Sequence, residues 1–220
     1  PINTFAHDFA LKITGKTSFS YLNANQFLVG FLFFPDKWQN IALFEVNDNT
    51  LKKELNAETE KAALIDFYDA EGNYKLSKYW EELSHKGQKS GLLKEAEKLD
   101  EKIQLINMLH GGSLLQIYPQ QIKGHVQWFY PTQNLRTKEE QKNLKIIRSS
   151  LLSYYQAISD NNVQKMEESL RTISDFQLVN AKDILPSNIH RDVEIFYTNI
   201  NFTSILFKIF KRFQCIERFY

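Results

Sequence analysis

A chain of 220 residues with 43% apolar and 24% charged residues can bury a core without disulfides and is too apolar to be disordered throughout. Its formal net charge of +1 gives no global field to attract nucleic acid or an acidic surface, so nucleic acid is not an expected partner. A single cysteine, Cys215, excludes an internal disulfide, and there is no run of about 18 apolar residues to span a bilayer.

The elements follow in chain order. Pro1 in place of Met reads as a processed chain or an excised piece, with no secretory leader. Phe5, Phe9 and Ile13 repeat at helical spacing, which predicts a helix over Ile2–Ile13 stopped by Gly15. Asn25 is read as the cap of a second helix through Phe27–Phe34, ended by Pro35. That run is apolar all round and therefore buried. Ile41–Val46 is read as a short strand between turn formers, and Thr50–Leu55 as a turn or two of helix. Ala62–Asp69 is read as helical, and Lys75–His85 as a helix with Leu76, Tyr79, Trp80 and Leu83 on one face. Lys86–Gly91 is a polar loop. Leu92–His110 is a long helix, with Leu92, Ala96, Leu99, Ile103, Ile106 and Leu109 in a stripe and Gly111-Gly112 at its end. Leu114–Tyr118 and Val126–Tyr130 are read as two strands, each closed by a proline, Pro119 or Pro131.

From Thr137 the pattern is nearly pure helix. Leu144, Ile147, Leu151, Tyr154 and Ile158 form one stripe; Val163, Met166, Leu170 and Ile173 form a second. The turn Ser159–Asn162 between them makes an antiparallel αα-hairpin. Pro186 precedes a third helix, and Asn201 begins a fourth in which Phe202, Leu206, Ile209, Phe213 and Ile216 share a face. Lys208, Lys211, Arg212 and Arg218 lie off that face. The segment fits equally a core-facing helix with a basic side and a helix that meets lipid or a partner. The expected fold is thus mainly α: a mixed, mostly helical lobe with a possible short β-hairpin over 1–135, and a helical lobe over 136–220.

Candidate chemistry is thin. Gly15-Lys16-Thr17 looks like the tail of a P-loop, but the glycine required five residues earlier is Ala10 and a helix precedes it, so a helix stop is the better reading. His110-Gly111-Gly112 looks like an oxyanion loop, yet no Gly-x-Ser-x-Gly supplies a nucleophile. Asp69–Asn73 has the composition of a calcium loop, but the sixth position from Asp69 is Tyr74 where glycine is required. His7, His85, His110, His125 and His190 show no ligand spacing, so no metal site and no haem-attachment motif is expected. Glu58, Glu60, Glu81, Glu82, Glu95, Glu97, Glu139 and Glu140 are read as polar helix faces beside lysines; Lys94, Glu95, Glu97 and Lys98 in particular read as a solvated, ion-paired face. The 17 Phe, 10 Tyr and 3 Trp are mainly core. Asn201-Phe202-Thr203 is a glycosylation sequon that matters only in a eukaryotic secretory route. No catalytic residue is predicted, and cofactor-binding residues are unknown.

Specific strings carry more than periodicity does. Phe67-Tyr68-Asp69-Ala70-Glu71-Gly72-Asn73-Tyr74-Lys75-Leu76 resembles the FFD-x-x-GNYKL segment of the Bacteroidetes-type fused ResB/CcsA (system II) cytochrome c biogenesis proteins. Upstream, Ile13–Ser18, Leu22-Asn23 and Pro35-Asp36-Lys37-Trp38-Gln39 are similar as well. Downstream, Lys98–Ile103, Leu115–Pro119, Ile184-Leu185-Pro186-Ser187 and Glu194–Asn201 continue the likeness in order. The segment Phe202–Phe210 matches less well.

The resemblance implies an extracytoplasmic domain of a membrane protein that handles haem and promotes its attachment to apocytochrome c, on the periplasmic side of the inner membrane. The family's Trp-rich WWD segment is absent, since Trp38, Trp80 and Trp128 stand far apart, so no haem ligand carries over. The implied role is accessory or scaffolding, with no cofactor held by this segment. Its implied partners are the membrane core of the parent protein and apocytochrome c or a thiol reductant. Whether the segment belongs to an enzyme is left open, although its parent would sit in a cytochrome c synthetase complex. The alternative is a stand-alone helical protein-interaction module built on the hairpin from Thr137 to Ile173.

Overall fold

The computed structural model describes residues 2–57, 59–84, 89–135 and 137–199, with the backbone alone for Lys138 and Glu139. The protein is mainly helical, with a few short strands in small sheets. Helix α1 (Ile2–Thr14) buries Ala6, Phe9, Ala10 and Ile13 along one face. It stops at Gly15, whose φ of +74° only glycine adopts freely and whose N–H closes the last turn on Leu11 O at 2.8 Å. A tight ribbon, β1 (Ser18–Phe19) with β2 (Leu22–Asn23), reverses the chain into α2 (Ala24–Phe33).

Asn23, not Asn25, caps α2. Asn23 Oδ1 accepts from the Gln26 N–H and the Gln26 side chain accepts from the Asn23 N–H, each at 3.0 Å. Asn23 is the extended residue that a cap requires, whereas Asn25 is already helical and donates its amide to Asn3 at 2.8 Å. Pro35 interrupts the apolar run and also opens α3 (Pro35–Trp38) at its first position, where a missing N–H costs nothing. The corner returns Trp38 onto α2. Its ring stacks on Phe31 at 4.7 Å between centroids and meets Phe27 edge-on at 5.0 Å. These rings, with Phe9, form the heart of the larger hydrophobic cluster.

Strand β3 (Phe44–Glu45) pairs antiparallel with β4 (Lys61–Ala62), and α4 (Asn49–Glu54), capped by the Asp48 carboxylate, lies between them in sequence. The helix expected over Ala62–Asp69 does not form. Leu43 N–H bonds Ala62 O at 3.0 Å and Val46 N–H bonds Glu60 O at 2.9 Å, so long-range pairing claims the backbone and overrides alanine's helix propensity. A short 3-10 turn, Leu64–Phe67, follows. The helix expected over Lys75–His85 begins as a 3-10 turn (Lys75–Tyr79) and becomes α5 (Trp80–Ser84). Leu76 and Tyr79 are buried as expected, but Trp80 is half exposed. His85 and residues 86–88 of the expected loop lie outside the described residues, as does Glu58.

Helix α6 (Gly91–His110) starts one residue early, because Ser90 Oγ accepts from the Leu93 N–H and takes Gly91 into the first turn. Its apolar stripe, Ala96, Leu99, Ile103, Ile106 and Leu109, is buried in the main cluster as the spacing predicts. The predicted hairpin exists, shifted. Strands β5 (Tyr118–Ile122) and β6 (His125–Phe129) are joined by Lys123-Gly124, both at positive φ. Pro119 lies inside β5 and does not close it. Ile122 and His125 flank the two-residue loop as a hydrogen-bonded pair, and alternation makes Pro119 opposite Trp128 a non-bonded pair that needs no N–H.

The αα-hairpin is α7 (Lys138–Ser159) and α8 (Val163–Ala181). Thr137 and Glu140 form a capping box, and Asn162 caps α8. A second, smaller hydrophobic cluster of Tyr118, Leu144, Ile147 and Ile173 packs the β-hairpin against both helices. Tyr154 and Tyr155 of α7 reach Phe33 and Phe34, with ring centroids 5.4–6.1 Å apart. Helix α9 (Asn188–Asn199) comes back to lie on α1. The helix expected from Asn201 lies outside the described residues.

Candidate functional site

The densest polar constellation is built on the string Phe67–Leu76. Phe67 is fully buried and meets Phe44 edge-on at 5.2 Å. The next residues make a tight loop closed by an isolated bridge between Tyr68 and Tyr74. Asp69 Oδ1 accepts from the N–H groups of Glu71 (3.0 Å) and Asn73 (2.7 Å), and its Oδ2 accepts from the Asn73 amide (3.0 Å). Gly72, at φ +84°, makes the reversal. The Asn73 side-chain bond, then its backbone bond, holds the Asp69 carboxyl below the usual aspartate range. The likeness to a calcium loop thus resolves into a loop whose carboxylate is already occupied by its own chain.

The loop delivers Tyr74 to α6. Its hydroxyl donates to Asp100 Oδ1 at 2.8 Å, Trp80 Nε1–H donates to the same oxygen at 3.3 Å, and the Gln104 amide donates to Oδ2 at 2.6 Å. Asp100 is buried, with 9% of its surface exposed. Burial first, then the Asp100 hydrogen bond and charge, push the Tyr74 phenol far above its ordinary value, so it remains a proton donor at any physiological pH. A carboxylate met by three donors anchors the groups that bind it. An open depression of about 510 Å³ borders it, lined by Trp80, Leu83, Glu97, Asp100, Glu101 and Gln104. Its remaining carboxylates are ion-paired, Glu97 with Lys89 at 2.5 Å and Glu101 with Lys12.

Two further clusters do the same kind of work. Glu54 accepts from Tyr79 Oη at 2.9 and 3.0 Å and from Lys78 Nζ at 2.6 Å, tying α4 to the 3-10 turn before α5. Lys102 Nζ, half-buried, donates at 3.1 Å to the carbonyl of Ile13 at the end of α1, and its burial lowers the amine below its usual value.

The candidates from sequence find structural places. Gly15 ends α1. His110 Nε2 lies 3.0 Å from Phe31 O, so that nitrogen carries the hydrogen. Gly111 and Gly112 end α6, and Thr132 donates to Gly111 O at 2.6 Å. His7 sits in α1, His125 in the β-hairpin, and His190 beside Ser187. Among the described residues no group of three His, Cys, Asp or Glu side chains could hold a metal. Glu95 departs from the solvated face expected of it: half-buried, it accepts from the N–H groups of Asn47 and Asp48 (2.8 Å for the latter) and fixes the loop before α4. Glu140 likewise serves the α7 cap.

Asp100, Glu54 and Lys102 were not legible as partners. The one signal was Asp100 itself, a carboxylate four residues after buried Ala96 and next to buried Leu99. The strings that carry the family likeness are the ones joined here. Tyr74–Asp100 links two of them, and Lys102–Ile13 links one of those to a third.

No protein-family model matches the chain. Over 203 residues, 91% of its length, it is 25% identical to Protein NrfI of Wolinella succinogenes, and it spans 22% of the length of that relative. NrfI is a cytochrome c-type biogenesis protein, so the similarity supports a link between this chain and cytochrome c biogenesis. No described helix is long and apolar enough to cross a membrane.

Proposed function

We propose that this chain is an accessory, scaffolding domain of a larger cytochrome c biogenesis protein, placed on the extracytoplasmic side of the membrane. The carrying observation is the similarity to NrfI along 91% of this chain but only 22% of the relative, the proportion expected of one domain in a longer polypeptide. The way the family-like strings are used supports the same reading, because Asp69, Tyr74, Asp100 and Lys102 spend their polar atoms on closing a loop, tying it to the middle of α6 and holding the end of α1. Haem chemistry then belongs to the membrane core of the parent protein. The domain organises that core, or receives apocytochrome c or a thiol reductant on its surface.

The test is made in a host whose gene encodes this chain. The segment for residues 2–199 is excised in frame and replaced by a short Gly/Ser linker. The expected result is loss of covalently bound haem from c-type cytochromes while the remaining membrane protein persists at its normal level. An alkaline phosphatase fusion in the segment should be active, reporting export. Unchanged cytochrome c maturation after the excision would overturn the proposal, and so would a reporter active only on the cytoplasmic side.

A further inference from the structure

The β-hairpin has one guarded edge and one open edge. Ile122 with His125, Gln120 with Gln127 and Tyr118 with Phe129 are its hydrogen-bonded pairs, so the backbone groups of Pro119, Gln121, Val126 and Trp128 point away from the neighbouring strand. On the β5 side Pro119 has no N–H to offer, and α8 runs alongside: the Gln177 amide donates to Ile117 O at 2.8 Å and the Gln121 amide to Asn180 O at 3.3 Å. On the β6 side no described group bonds the N–H or C=O of Val126 or Trp128. Folded proteins guard an open edge with a charge, a proline or a bulge. Strand β6 reads His-Val-Gln-Trp-Phe, with no lysine, arginine, carboxylate or proline, and its register with β5 is unbroken.

We infer that this edge is a dimer interface, on which β6 pairs antiparallel with β6 of a second copy of this chain. The strand is complementary to itself about its middle residue. With a two-fold axis at Gln127, Val126 lies opposite Trp128 of the partner subunit, and the N–H and C=O of each bond those of the other on both sides of the axis. An aromatic ring against a β-branched side chain is a favourable cross-strand pair. His125 falls opposite Phe129 of the partner subunit, and Gln127, exposed and uncharged, meets its own copy, so no like charges face each other. This register uses the whole length of the strand. Because the hairpin has only this one open edge, the association closes at two copies and does not run on into a filament. The match of the strand to itself is what favours a second copy over an extended segment of another protein.

Sedimentation equilibrium of the 220-residue chain tests this, from micromolar to submillimolar protein. The expected result is a monomer–dimer equilibrium in which the Val126 and Trp128 amides gain protection from hydrogen exchange on dimerisation. Gln127→Lys and Gln127→Glu, at an exposed position, should leave the unfolding midpoint unchanged. Each should weaken the dimer about tenfold or more by setting like charges face to face, and an equimolar mixture of the two should restore it. A chain that stays monomeric throughout, or a dimer that tolerates Gln127→Lys, overturns the inference. So does a mixture that associates no better than either variant alone, and so does dimerisation that leaves the Val126 and Trp128 amides unprotected.

Discussion

The hydroxyl of Tyr74 lies 2.8 Å from Asp100 across 26 residues of chain, and it joins the loop after Phe67 to the middle of the longest helix of the main cluster. Tyr74→Phe removes one of three donors to a buried carboxylate and should cost about 1 kcal/mol in urea unfolding with an unchanged slope. Asp100→Ala removes the acceptor of the part-buried Tyr74 phenol, while the exposed Trp80 indole and Gln104 amide can turn to water, and should cost about 1–2 kcal/mol. If the double variant is simply additive, the two side chains are not coupled as described.

Gly30 lies beneath the Trp38 indole, and a Cβ there would come within 2.9 Å of ring atom Cε2. The ring is wedged between Phe31 and Phe27 and cannot retreat. Gly30→Ala should therefore lower stability by about 1–3 kcal/mol, although alanine is the better helix former. A variant as stable as the parent protein would mean that the indole has room to move.

Asp69 sets a pH dependence whose sign is fixed. Its folded value is depressed, chiefly by the Asn73 side chain, so its contribution is present above the unfolded aspartate value and fades as pH falls through the folded one. Thermal melts taken from neutral pH into acid should show a stability loss below the usual aspartate range that Asp69→Asn reduces. Identical acid limbs in the two proteins would contradict the loop geometry.

Lys123 holds φ at +50° in a two-residue turn with Gly124. Asparagine tolerates that region better, so Lys123→Asn should stabilise the protein by about 0.5 kcal/mol, read from the unfolding midpoint. Destabilisation would point to a contact made by the lysine itself.

Haem added to the purified protein should give no sharp Soret shift. His110 and His190 are already hydrogen-bonded to Phe31 O and Ser187 Oγ, and His7 and His125 lie in separate elements. A shift abolished by replacing one histidine would show a ligand site and reverse that expectation.

Long helices were legible because spacing and caps agreed. The stripe from Ala96 to Leu109 and the box Thr137/Glu140 announce α6 and α7 by local chemistry alone. Where a long-range partner decides, the sequence misleads. Ala62 reads as helix until Leu43 claims its carbonyl, and Pro119 reads as a strand end until the register with Trp128 shows that its missing N–H is not needed. The polar network stayed hidden for the same reason. Nothing near Asp100 in the chain foretells Tyr74 or Trp80, and only the placement of an acid on the edge of an apolar stripe hinted that it is held.

The contact between Thr4 and Glu194 brings the first and last described helices side by side. The described backbone therefore begins and finishes at one edge of the fold, like a loop of cord pinched at its neck. A unit whose first and last described helices lie together in that way can be carried as an insert between two other segments of a polypeptide without pulling them apart.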